Sequence, residues 1–164
     1  MLLGLMGAMP EEMDKIIDAL TDKKVVERGS RLYYRGKLYG QEVVAVFSRW
    51  GKVAAATTAT NLIVEFGVDR IVFTGVAGAI SDDLNIGDVV IAQRLFQHDM
   101  DARPLMRRFE IPLTGKTSYE ISEQNSGLMV EAVHNFLKNN IPTMCAIPDS
   151  FENFLSISRK TSLN

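Results

Sequence analysis

The sequence predicts an α/β domain, a mixed β-sheet flanked by helices, and two observations predict it. Short apolar runs such as Met1–Met6 and Arg70–Thr74 show no polar alternation, the mark of strands buried on both faces. Between such runs lie segments whose apolar residues recur three and four apart, the period of a helix with one buried stripe. Strands alternating with helices build layered α/β sheets. At 164 residues, the chain has the length of one domain, and residues 1–164 read as a single unit.

Each element follows from its residues. Met1–Met6 is the first strand, and Gly7-Ala8 is a tight exit. A helix runs from Pro10 to Leu20, with Met13, Ile16, Ile17 and Leu20 on one face. Pro10 suits its first position, and Glu11 and Glu12 sit where the helix dipole favours carboxylates. Residues 21–30 are charged and read as a loop. Leu32–Leu38 and Glu42–Ser48 read as a hairpin turning at Tyr39-Gly40-Gln41. Gly51–Phe66 is a second helix, with Ala55, Ala59, Leu62, Ile63 and Phe66 inward. Arg70–Thr74 is a strand ending in Gly75-Val76-Ala77-Gly78-Ala79, and Asp88–Phe96 another. Residues 97–123 lack a clean period and read as a long loop. Gln124–Lys138 is a helix with Met129, Ala132, Val133 and Phe136 as its core face, and Thr143–Ile147 is a last strand.

Composition removes several function classes. Apolar residues make up 46% of the chain and charged ones 23%, which excludes a disordered tail or a coiled coil. A net charge of −2 gives no bulk attraction for nucleic acid or an anionic membrane. The single Cys145 excludes an internal disulfide framework and fits a reducing compartment. Met1–Met9 lacks the basic start of a secretory signal, and no run approaches the roughly 18 apolar residues of a membrane helix. The expectation is a soluble cytoplasmic protein.

Ligands of such sheets bind at the carboxyl ends of strands, which directs attention to Gly7–Glu12 and Thr74–Ala79. In the first, small residues allow close backbone approach, and a partly buried carboxylate can act as general base toward water. The competing reading is two exposed carboxylates that only complement the helix dipole. In the second, Thr74-Gly75-Val76-Ala77-Gly78-Ala79 can present backbone N–H groups, or be no more than a tight turn. It lacks the ending of a P-loop and the spacing of a dinucleotide fingerprint. His98-Asp99-Met100-Asp101 suggests a metal, but His134 is the only other histidine, and a hydrogen-bonded His–Asp pair is the plainer expectation. The N-terminus of the second helix, with Arg49 and Lys52 near, could receive an anion or be a structural entry turn.

Taken in order, Gly4–Glu12, Gly51–Ala56, Thr74–Gly78, Gly87–Val90 and His98–Asp101 resemble 5′-methylthioadenosine/S-adenosylhomocysteine nucleosidase, of the purine nucleoside phosphorylase superfamily. The resemblance covers roughly Met1–Asn153. It implies a homodimer of nucleoside phosphorylase-like α/β domains that hydrolyses the N-glycosidic bond of adenine thio-nucleosides without metal or cofactor. Glu12 matches the water-activating base. Ala8 and Met9 match the wall beside the ribose, and Val76, Ala77 and Gly78 the turn facing the nucleoside. Asp149–Asn153 resembles the adenine-binding segment, mapping the stacking ring to Phe151 and a backbone contact to Glu152.

The chain also departs from that pattern. Val76 stands where relatives often carry Ser, and Glu152 where an apolar residue is usual. Relatives continue into a Met-Glu pair that binds the ribose hydroxyls and an Asp that protonates the leaving adenine. Neither is found before Asn164, so the resemblance implies a C-terminally truncated site. A general acid is worth about 100- to 10,000-fold, and a ribose clamp adds orientation, so slow turnover is expected. Two other readings stay open. One is a non-catalytic nucleoside-binding or dimerising remnant. The other is a different superfamily member, either a futalosine-type hydrolase or a phosphorylase that uses Arg49 and Arg94 for phosphate.

Overall fold

The computed structural model describes residues 1–140. Two compact units divide at Gly78–Ala79. In the first, β1 (Leu3–Gly7), α1 (Pro10–Asp18), β2 (Thr21–Arg28), β3 (Arg31–Leu38), β4 (Gln41–Phe47), α2 (Lys52–Val64) and β5 (Arg70–Phe73) form a five-stranded sheet in the order β2-β3-β4-β1-β5 with its two helices. β1 runs parallel to both β4 and β5, and the β2-β3-β4 meander is antiparallel, so the sheet is mixed as predicted.

The unbroken apolar runs of β1 and β4 are explained by helices on both faces. Val44, Val46 and Met6 point toward α2 with Tyr33, Leu62 and Val68. Their strand neighbours Val43, Ala45 and Leu5 point toward α1, against Met13 and Leu20. Gly4 permits this closeness on the α2 side. A Cβ there would sit 3.3 Å from Leu62 Cδ1. Tyr33 is fully buried, stacks on Phe66 at 4.7 Å, and accepts a hydrogen bond from Asn61 Nδ2 at 3.1 Å.

Residues 21–30 are not a loop. Thr21–Arg28 is an edge strand paired with β3, and the Gly29-Ser30 turn has left-handed φ of 54° and 58°. Its charged residues are exposed, and charge on an edge discourages pairing with other chains. The Tyr39-Gly40 turn, with φ of 48° and 84°, has the same two-residue left-handed form, which matches strand twist.

The second unit begins at Ala79. The strand expected over Asp88–Phe96 is reduced to β6 (Arg94–Leu95), paired with β7 (Tyr119–Glu120), because only those two residues find a ladder partner. α3 spans Glu123–Asn140. Its expected core face is not a core. Met129, Ala132 and Phe136 are exposed and Val133 is half-buried. Helical periodicity records which face would be covered, and no residue from Ala79 to Asn139 is buried. Thr143–Ile147, Cys145, Asp149, Phe151 and Glu152 lie outside the described residues. No helix among the described residues is long and apolar enough to cross a membrane.

Candidate active site

The site is built at the carboxyl ends of β1 and β5. Parallel pairing brings these ends level, with Met6 opposite Phe73, so the Gly7-Ala8-Met9 exit and the Thr74-Gly75-Val76 exit leave the sheet side by side. Thr74 N–H donates to the Met6 carbonyl at 2.9 Å, extending the ladder by one bond. On the other flank, Ser48 N–H donates to the Gly7 carbonyl at 2.9 Å. The fully buried Ser48 Oγ lies 3.0 Å from the Gly7 and Arg49 carbonyls, which share its hydroxyl hydrogen.

α1 starts immediately after this exit. Met9 is its N-cap in an extended conformation, and Pro10 follows, where a missing N–H costs nothing. Glu12 is the third helical residue and turns back over the helix entrance. Its Oε2 accepts N–H from Ala8 at 2.7 Å and from Met9 at 3.0 Å, the carboxylate half of a capping box. Its Oε1 accepts N–H from Val76 at 2.9 Å. One carboxylate thus joins the two strand exits, reaching Val76 across 64 positions of sequence.

The three donors hold the Glu12 carboxyl below the ordinary glutamate range. The Val76 N–H is the largest cause, Met9 and Ala8 add to it, and partial burial opposes them. The group is ionised at neutral pH, half-buried and ringed by backbone donors. Glu11, its neighbour, is exposed. Of the two readings of these carboxylates, exposure with a dipole role fits Glu11, whereas Glu12 is half-buried and bonded to both strand exits. Ala8 and Met9 are half-buried beside it, while Val76, Ala77 and Gly78 are exposed along the turn.

Two glycines make room for the carboxylate. A Cβ on Gly75 would lie 2.6 Å from Glu12 Cδ and 2.7 Å from Oε2, inside any normal contact. A Cβ on Gly7 would lie 2.8 Å from Met13 Cγ and Sδ and 3.2 Å from Glu12 Oε2. Both glycines lie in the two stretches that the sequence singles out, but their contact with Glu12 is not legible there, and Ser48 does not stand out. Each matters through a neighbour that only the folded sheet supplies.

The remaining candidates are engaged within their own units. Arg49 donates from Nη2 to the Ser30 carbonyl at 2.5 Å, pinning the β2-β3 turn. Arg94 faces Glu120 at 3.4 Å across the β6-β7 pair. Both arginines offered for phosphate therefore have protein partners. Asp101 is held by Arg103, through Nε at 2.9 Å and Nη2 at 2.5 Å, and this partner lowers its pKa to about 2. The expected His98–Asp101 cluster gathers no metal set, for no group of three His, Cys, Asp or Glu side chains meets among the described residues. Two shallow depressions of about 560 and 540 Å3, at Arg103–Glu110 and along α3, belong to the second unit and are lined by none of Glu12, Ala8, Met9 and Val76.

Comparison with known proteins identifies the family. Residues 2–146 match the Phosphorylase superfamily. The chain is 35% identical over 112 residues to the aminodeoxyfutalosine nucleosidase of Helicobacter pylori, covering 68% of this chain and 47% of that one. It is 31% identical over 163 residues to the 5′-methylthioadenosine/S-adenosylhomocysteine nucleosidase of Staphylococcus haemolyticus, covering 97% of this chain and 72% of that one. The crystal structure of the corresponding Colwellia psychrerythraea nucleosidase in complex with adenine superimposes with a TM-score of 0.79 at 30% identity, over 84% of this chain and 57% of that one. The chain thus spans about half the length of several curated relatives it matches.

Proposed function

The chain belongs to the phosphorylase superfamily and, within it, to the nucleosidases, and from that premise we propose that its site hydrolyses the N-glycosidic bond of 5′-methylthioadenosine or S-adenosylhomocysteine. The observation that carries this reading is the Glu12 carboxylate, ionised and fixed by Ala8, Met9 and Val76 where two parallel strands end. In the proposed reaction, water gives a proton to Glu12 as its oxygen bonds to the anomeric carbon. The carbon–nitrogen bond breaks, and its electron pair leaves with adenine, which takes up a proton. Water activation and leaving-group protonation are separate tasks, and Glu12 serves the first. The chemistry calls for no metal or cofactor.

The other assignments are proposals of the same kind. Ala8 and Met9 flank the ribose, and Val76, Ala77 and Gly78 line the nucleoside. Phe151 stacks on adenine, and the backbone of Glu152 contacts it. The two units are parts of one phosphorylase-like domain, a reading supported by a family match that runs through both. The protein acts as a homodimer. The apolar exposed side of α2 with the preceding Trp50, including Val53 and Val64, supports that reading.

A second substrate is favoured by one observation, the 35% identity to an aminodeoxyfutalosine nucleosidase. The test measures adenine release from methylthioadenosine, adenosylhomocysteine and aminodeoxyfutalosine by the purified chain and by Glu12→Gln. The substituted protein should lose about 100- to 10,000-fold, the usual worth of a positioned base. Equal turnover by both proteins would end the assignment, and the preferred substrate decides between the two nucleosidase readings.

A further inference from the structure

The base proposed above is held by contacts that depend on a residue with no side chain. We propose that Gly75 is a positioning residue, whose missing Cβ leaves open the space in which the Glu12 carboxylate reaches the Val76 amide. The role in catalysis rests on the nucleosidase reading, while the positioning itself stands on geometry alone.

Three observations converge. A Cβ at Gly75 would fall 2.6 Å from the Glu12 carboxyl carbon and 2.7 Å from Oε2. Real Cβ atoms do not approach so closely, so one partner must move. The backbone of Gly75 has little freedom to yield. Thr74 N–H is tied to the Met6 carbonyl at 2.9 Å, and Val76 N–H is the carboxylate's own partner. Gly75 also shows no left-handed φ, so its identity is not demanded by backbone conformation. A turn could accept alanine there as far as φ is concerned. What excludes alanine is the carboxylate.

Glu12 is the side able to move. With a methyl group at position 75, its carboxylate must swing off Val76. The bonds to Ala8 and Met9 run through Oε2, the other oxygen crowded by that methyl group, so they lengthen as well. Gly7 guards the opposite flank, where a Cβ would meet Met13 and lie 3.2 Å from Glu12 Oε2. The carboxylate therefore occupies a slot between two glycines, and the Gly75 wall is the tighter.

The experiment uses the full chain labelled with 13C at glutamate carboxyls, the Glu12 signal being identified by its loss in Glu12→Gln. In the wild-type protein this carboxyl titrates below the ordinary glutamate range. In Gly75→Ala it should titrate higher, and the acid limb of the pH–rate profile for adenine release should move up with it. A purely structural role would lower the yield or the melting temperature without moving either titration. A folded Gly75→Ala protein with an unchanged Glu12 titration overturns the proposal.

If Gly75→Ala does not fold, the double variant Glu12→Ala/Gly75→Ala decides. With the carboxylate removed, the three atoms nearest the added methyl group are gone, and folding should return. Failure of the double variant where Glu12→Ala alone folds overturns the proposal. The titration and folding measurements need no turnover, so they stand apart from the nucleosidase reading, which Glu12→Gln tests by itself.

Discussion

Glu12→Gln should destabilise the protein at neutral pH and leave it nearly unchanged in acid. The carboxylate accepts three N–H groups, two on Oε2 and one on Oε1. Glutamine offers one oxygen. Turned toward Ala8 and Met9, it keeps two bonds but points its NH2 at the Val76 donor. Turned the other way, it keeps one and faces two donors. The better choice loses one charge-assisted bond, worth about 1.5–3 kcal/mol, and weakens two others to neutral strength. Val76 is exposed, so its amide recovers part of that from water. The net cost is about 1–2 kcal/mol, or a fall in Tm of about 2–8 °C for a chain of this length. The sign of the pH dependence follows from the lowered carboxyl pKa of the folded state. The stabilisation is fully present above the unfolded-state value of about 4.3, and it is lost as pH falls through the folded value. Urea unfolding of both proteins between pH 7 and pH 3 should show a gap that narrows only below about pH 4.3. A gap of equal size at both ends, or no gap at pH 7, would refute the three-donor account.

Three further outcomes are expected. Leu62→Ala removes a fully buried side chain packed over Gly4 and should cost about 2.7–5 kcal/mol in urea unfolding, since the β1 backbone cannot collapse into the void. Asp101 should stay ionised to about pH 2 in a carboxyl titration, and Arg103→Gln should move its midpoint up toward about 3.9, because Arg103 is its main partner. Light scattering at high concentration should give a dimer mass, and Val53→Asp/Val64→Asp should shift it to monomer. A wild-type protein that stays monomeric would count against the α2 interface.

The sequence is most legible where two-sided burial writes itself into composition. β1 and the Val43–Phe47 run of β4 carry no polar residue because they lie between α1 and α2, and the Met13–Leu20 stripe locates the face of α1. β2 is illegible for the converse reason. An edge strand is paired through its backbone and leaves its side chains in solvent, so Asp22, Lys23 and Lys24 show no apolar pattern that would mark the strand. α3 shows the limit of periodicity, with a regular apolar stripe that remains exposed. At the site, Glu12 is visible as a carboxylate at a helix entrance after a strand. Its reach to Val76 is not, for that contact depends on β1 and β5 lying in register. Met9 also conceals the capping box, since it lacks the oxygen that marks an N-cap in sequence.

The span of the Glu12 bridge has a consequence for the order of folding. The Ala8 and Met9 bonds close within four residues, so the helix entrance can capture the carboxylate as soon as α1 forms. The Val76 bond closes a separation of 64 residues and waits for β5 to pair in parallel with β1. Loop closure over such a distance, for a parallel strand pair, belongs to the slow and late part of folding. The base is therefore seated in two stages, half of its acceptor capacity filled early and the last donor arriving only with the completed sheet. Amide hydrogen exchange at Val76 consequently reports whether the site has assembled. Its protection should appear after that of Met9 during refolding and vanish first when β5 detaches.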